Sequence, residues 1–108
     1  MEELVERLSR GDHPVEFSLR PEKTIGVLKD CLDRKYVHIK FTGTRGGTEL
    51  GFALDPAVTD LSGADFSSAT GRVKVGGELT LNYVKVRCLA DIDLSTMTGI
   101  GHLQPLES

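Results

Sequence analysis

At 108 residues the chain has the length of one compact domain, expected to span 1–108, and its 39% of hydrophobic residues supplies a core and leaves no compositional case for disorder. A net charge of -3 with no concentrated basic surface, the longest basic patch being Arg34-Lys35 directly after Asp33, argues against nucleic acid as a partner. No run approaches the roughly 20 apolar residues of a membrane-spanning helix. The opening Met-Glu-Glu-Leu-Val-Glu-Arg-Leu lacks the basic and apolar regions of a signal peptide, so a cytoplasmic protein with no membrane partner is expected.

Residues 2–10 predict a short amphipathic helix, with Leu4, Val5 and Leu8 on one face, Glu3–Arg7 and Glu6–Arg10 at ion-pair spacing, and Gly11 as its stop. Residues 14–19 alternate Val15, Phe17 and Leu19 against Glu16 and Ser18, a short strand. Pro21 suits the first turn of a second helix running to about Arg34, with Ile25, Leu28, Cys31 and Leu32 on its apolar face.

Val37, Ile39 and Phe41 alternate with polar residues, and after Gly43-Thr44-Arg45-Gly46-Gly47 the alternation resumes with Leu50, Phe52 and Leu54, which reads as a hairpin. Residues 55–71 hold only Val58, Leu61 and Phe66 as large anchors and predict a long crossing loop, the most mobile long segment. Residues 72–75 and 78–83 predict a second hairpin turning on Gly76-Gly77. Leu79, Leu81 and Tyr83 are apolar at odd positions, whereas Val84, Val86, Cys88, Ala90, Ile92 and Leu94 are apolar at even ones, so a bulge or tight corner is expected near Asn82–Lys85.

That last run is the clearest signal in the chain: a long strand with one buried and one wet face, broken only by Leu89. Its half-polar character points to an antiparallel sheet. A final strand, Gly99–Leu106, is expected at the edge because Pro105 marks its end. The expected fold is α+β: a curved, meander-like antiparallel sheet of about six strands, open or curled into a partial barrel, with two N-terminal helices on one face. The echo between the segments after Gly46-Gly47 and Gly76-Gly77 is read as recurrent turn chemistry rather than an internal repeat.

Two constellations carry chemistry-bearing residues. Asp91 and Asp93 project from one strand face, and His102 on the next strand is placed to face them, a set suited to acid/base work or a divalent cation. Arg45, Gly46 and Gly47 form a small candidate anion nest, although the P-loop pattern is absent and a hairpin turn explains the glycines. Gly99-Ile100-Gly101 lacks the strand-turn-helix setting of a nucleotide site, and His13 and His38 have no partner at ligand spacing. Cys31 and Cys88 fall on apolar faces and are expected to be reduced, buried and inert.

The function expected is that of a small binding or accessory domain working with a protein partner or as a homodimer, through a sheet face, edge or loop. Small molecules are a second ligand class. The alternative is a half-barrel enzyme or ligand carrier using Asp91, Asp93 and His102. No cofactor and no metal is expected.

Overall fold

The computed structural model describes residues 3–19 and 22–106. In chain order they form α1 (Glu3–Leu8), β1 (His13–Phe17), α2 (Ile25–Asp33), β2 (Tyr36–Phe41), β3 (Thr48–Ala53), β4 (Ala64–Asp65), β5 (Thr70–Leu81), β6 (Val84–Asp93) and β7 (Thr98–Pro105). The strands make one antiparallel sheet in the order β3-β2-β1-β7-β6-β5-β4, curled into a half-barrel. Seven strands stand where six or so were expected: the segments 72–75 and 78–83 are one strand, β5, and the two-residue β4 is new.

Alternation decides which face is buried. Val86, Cys88, Ala90 and Ile92 of β6 line the inner face with Val15, Phe17, Val37, Ile39, Phe41, Leu50, Phe52, Val73 and Val75. Val5 and Leu8 of α1 and Leu28 and Leu32 of α2 complete that core, so two short helices cover the concave side of one sheet. Helix α2 begins at Ile25, where the Thr24 hydroxyl caps it by accepting from the Val27 N–H at 3.3 Å. Pro21, expected in its first turn, lies outside the described residues. At α1, Glu6 and Arg10 form the expected ion pair and Gly11 ends the turn at φ +70°. Among the described residues no helix is long and apolar enough to cross a membrane.

Gly76-Gly77 is not a turn. Strand β5 runs straight through it, and the hairpin closes at Asn82-Tyr83, both with positive φ, between Leu81 and Val84. A two-residue turn pairs odd positions of one strand with even positions of the next, which accounts for the shift in apolar parity without any bulge.

The glycines serve a different purpose. After β3 the chain passes around β5 at this point: Ala53 lies against the inner face, the Asp55 N–H donates to Gly76 O at 2.8 Å along the edge, and Val58 lies on the outer face. A Cβ on Gly77 would stand 2.1 Å from Ala53 O, and one on Gly76 would stand 2.7 Å from Val58 Cγ2. The strand can be clasped from both sides only where it has no side chains.

Strand β7 is central, contrary to its expected place at an edge. It is hydrogen-bonded to β6 on one side and to β1 on the other. Pro105 is tolerated because it falls at the last residue of the strand.

The segment expected to be a loose crossing loop carries more order than its composition suggests. It contains β4 and a bridge between Asp60 and Lys74. It also contains one of two matching turns. Asp65-Phe66-Ser67-Ser68-Ala69-Thr70-Gly71 and Asp93-Leu94-Ser95-Thr96-Met97-Thr98-Gly99 share the pattern Asp, apolar, Ser, Ser/Thr, a residue with positive φ, Thr, Gly. In each, the carboxylate accepts from the Ser N–H and hydroxyl, at 3.0 and 2.7 Å for Asp65 and 2.8 and 2.7 Å for Asp93. In each, the Asp and Thr close a strand pair. The turns lie side by side, joined by a 2.9 Å bond from the Leu94 N–H to Gly71 O. This likeness, and not the one between the paired glycines, is the internal echo that has structural meaning.

Hydrogen bonds from Ser67 hold the Asp65 carboxyl below the usual aspartate range, and those from Ser95, aided by Arg72, do the same for Asp93. A carboxyl whose pKa is depressed by folding stabilises the native state above its unfolded pKa, and that contribution is lost as pH falls through the folded value. Stability is therefore expected to decline on acidification below the ordinary aspartate range. Urea midpoints measured from neutral to acid pH should fall less steeply for the Asp65→Asn/Asp93→Asn variant than for the native chain. Parallel slopes would assign the acid sensitivity elsewhere.

Candidate functional site

Strand register fixes what meets on the outer face of the half-barrel. Lys74, Asp91 and Ile100 form one row across β5, β6 and β7, and Gly76, Leu89 and His102 form the next. Because Gly76 has no side chain, Leu89 and Val58 converge above it. The result is a groove of about 220 Å³ whose apolar lining includes Val58, Leu89 and Ile100 beside Val75, with Lys74, Asp91, His102 and Asp12 as its polar lining. Leu89, the residue out of step with the β6 alternation, is thus an apolar side chain on the wet face. Ile100 beside it is 46% exposed.

The polar groups in and beside the groove are organised in separate pairs. His102 Nδ1 lies 3.5 Å from an Asp12 carboxylate oxygen. Arg72 Nε donates to Asp91 Oδ1 at 2.7 Å, and the same guanidinium reaches Asp91 O at 3.4 Å. Asp93 belongs to the turn described above and does not line the groove. Asp91, Asp93 and His102 do share one sheet face, but each is engaged by a different neighbour. Among the described residues no group of three or more His, Cys, Asp or Glu is arranged to hold a metal ion.

Arg45, Gly46 and Gly47 occupy the β2–β3 turn, on strands at the far side of the sheet from β5. Gly46 and Gly47 take φ of +75° and +76°, as a tight turn demands. The Gly47 N–H donates to Thr44 O at 3.0 Å, and the Thr44 and Thr48 hydroxyls meet at 2.7 Å. The Gly47 amide is thereby committed within the hairpin and is not presented outward as a nest requires. The six candidate residues accordingly fall in three places: Asp91 and His102 in the groove, Asp93 in its own turn, and Arg45, Gly46 and Gly47 between β2 and β3.

A second cleft, of about 370 Å³, collects Ser18 from just after β1, Cys31 and Arg34 from α2 and its C-terminal cap, and His38 and Glu49 from β2 and β3. Arg34 Nη2 lies 3.7 Å from Cys31 Sγ, and Ser18 donates to Glu49. No spacing in the sequence announces this grouping, because its members come from separate elements. The two isolated histidines also acquire neighbours: His13 Nε2 is 3.0 Å from Arg10 O, and the His38 ring meets Tyr36 edge-on at 5.4 Å. Both cysteines are free. Cys31 packs against the core as expected but is only half-buried, whereas Cys88 is buried and desolvation pushes its thiol up to about 12. A thiol so shifted is neither a nucleophile nor a ligand at neutral pH.

No family model matches this chain, and no curated protein matches it.

Proposed function

We propose that the protein is a non-catalytic binding domain that docks a protein partner on the outer face of its sheet and takes an apolar side chain of that partner into the groove above Leu89. The observation that carries this reading is the convergence of Val58, Leu89 and Ile100 into one apolar groove on the outer face, ringed by Asp12, Lys74, Asp91 and His102. A volume of about 220 Å³ lies below the roughly 300–1,000 Å³ of pockets that enclose small-molecule ligands. It suits one or two side chains. The flanking Asp12–His102 and Arg72–Asp91 pairs supply the polar rim that surrounds the apolar centre of a protein interface. Catalysis by Asp91, Asp93 and His102 has less support, since Arg72, Ser95 and Asp12 respectively engage them.

A photo-crosslinking side chain placed at Ile100 in cells that make the protein would identify what contacts the groove. The purified partner is then titrated against the native chain and against Leu89→Asp. An anchor in the groove predicts a loss of affinity of about tenfold or more, the scale of a hot-spot contact. Unchanged affinity in Leu89→Asp would remove the groove from the interface. A turnover lost in both Asp91→Asn and His102→Ala would replace this reading with an enzymatic one.

A further inference from the structure

We infer that the free edge of β5 at Glu78–Leu81 is a self-association site, on which a second copy of this chain adds its own β5 as an antiparallel strand. The argument starts from which way the backbone of β5 points. Arg72 N–H bonds to Gly63 O at 3.2 Å, Lys74 exchanges bonds with Asp60 at 2.7 and 2.9 Å, and Gly76 O accepts from Asp55 at 2.8 Å. Even-numbered residues of β5 thus direct their N–H and C=O groups away from β6, and odd-numbered ones direct theirs toward it, as the 2.9 Å bond at Gly71 O shows. The segment from Asp55 to Gly63 satisfies the edge as far as Gly76. Beyond that point Glu78 and Thr80 carry the next outward-facing groups, and no described residue bonds to them. An unpaired edge of this kind is a template for another strand.

Two further observations bear on the same end of the hairpin. Leu79, Leu81 and Val84 are only half-buried at the rim of the core, so the inner side of this edge is apolar. At the tip, Tyr83 is fully exposed and takes the φ of +68° that the two-residue turn demands, in a position where such a turn favours glycine. A strained backbone under an exposed tyrosine is the kind of outlier found at contact sites.

A second copy is the occupant because the edge is complementary to itself. Outward groups recur at Glu78 and Thr80, two residues apart, which is the repeat of an antiparallel ladder. A two-fold pairing of even positions with even positions meets them all and keeps Leu79 and Leu81 of both copies on one side. On the outer side, Arg87 and Lys85 of β6 stand opposite this chain's own Glu78 and Thr80, so that the partner's Glu78, seated beside Thr80, falls in the same row as Lys85.

Thr80→Pro tests this selectively. The Thr80 N–H points away from β6, so proline removes no bond of the β5–β6 ladder while blocking an incoming strand. Sedimentation equilibrium over a concentration series is expected to show a dimer for the native chain and its loss in Thr80→Pro, with a cooperative melt retained. Amide exchange of the native chain supplies a readout that needs no variant: Glu78 and Thr80 should become protected as concentration rises, while Lys74 and Gly76 are protected throughout. A native chain that stays monomeric at the highest concentration, or dimerises without concentration-dependent protection at Glu78 and Thr80, overturns the inference. A dimer surviving in Thr80→Pro does the same. None of these outcomes involves Leu89, so they stand apart from the test of the outer groove.

Discussion

Ile92→Asp is expected to abolish cooperative folding. Ile92 is completely buried on the inner face of β6, in register with Val73 on one side and Gly99 on the other. No basic residue is among the core side chains around it, so the new carboxyl would be buried without a partner. Burial of such a group costs several kcal/mol, while domains of this size are stable by only about 5–15 kcal/mol. Leu89→Asp makes the same chemical change on the same strand but on the wet face, and should leave folding intact. Circular dichroism melts of the two variants give the comparison. A sigmoidal melt for Ile92→Asp near the native midpoint would mean that the inner face of β6 is not the core.

The second large effect is expected at Gly77. A side chain there meets the carbonyl of Ala53 at 2.1 Å and the Phe52 ring at 2.6 Å, and the first of these is backbone, which yields only if the end of β3 lifts from β5. Gly77→Val should therefore cost about 3 kcal/mol, the upper part of the range for overpacked cores. Gly46 supplies the contrast. It has nothing within 4 Å of a Cβ position, but its φ is +75°, so Gly46→Ala meets only the penalty of about 1–2 kcal/mol for a left-handed backbone. Urea midpoints separate the two causes. Equal, small losses would show that β3 does not press on β5 at this point.

The parts of the fold legible in advance were those governed by neighbours close in sequence. The buried positions of β6 and of the β2–β3 hairpin follow from alternation alone, since a strand with one wet face must place Val86, Cys88, Ala90 and Ile92 together. The Leu28 and Leu32 stripe of α2 is equally local, and the antiparallel class follows from the half-polar strands. The matching Asp-initiated turns were also present as a pattern, in Asp65–Gly71 and Asp93–Gly99, but they can be seen only by comparing segments whose strands differ in surroundings.

Tertiary structure alone decided the rest. A glycine pair in the sequence reads equally well as a turn or as a point of close approach; Gly76-Gly77 is the latter because Ala53 and Val58, far back in the chain, clasp the strand there. The rank of β7 as a central strand depends on its pairing with β1 near the other end of the chain, and no periodicity in residues 98–105 encodes that partner. The same holds for the groove. Leu89 was visible as a lapse in alternation, but its meeting with Val58 and Ile100 arises from strand order and a loop crossing. Alternation records which face a residue takes, whereas the neighbours on that face are chosen by contacts distant in sequence.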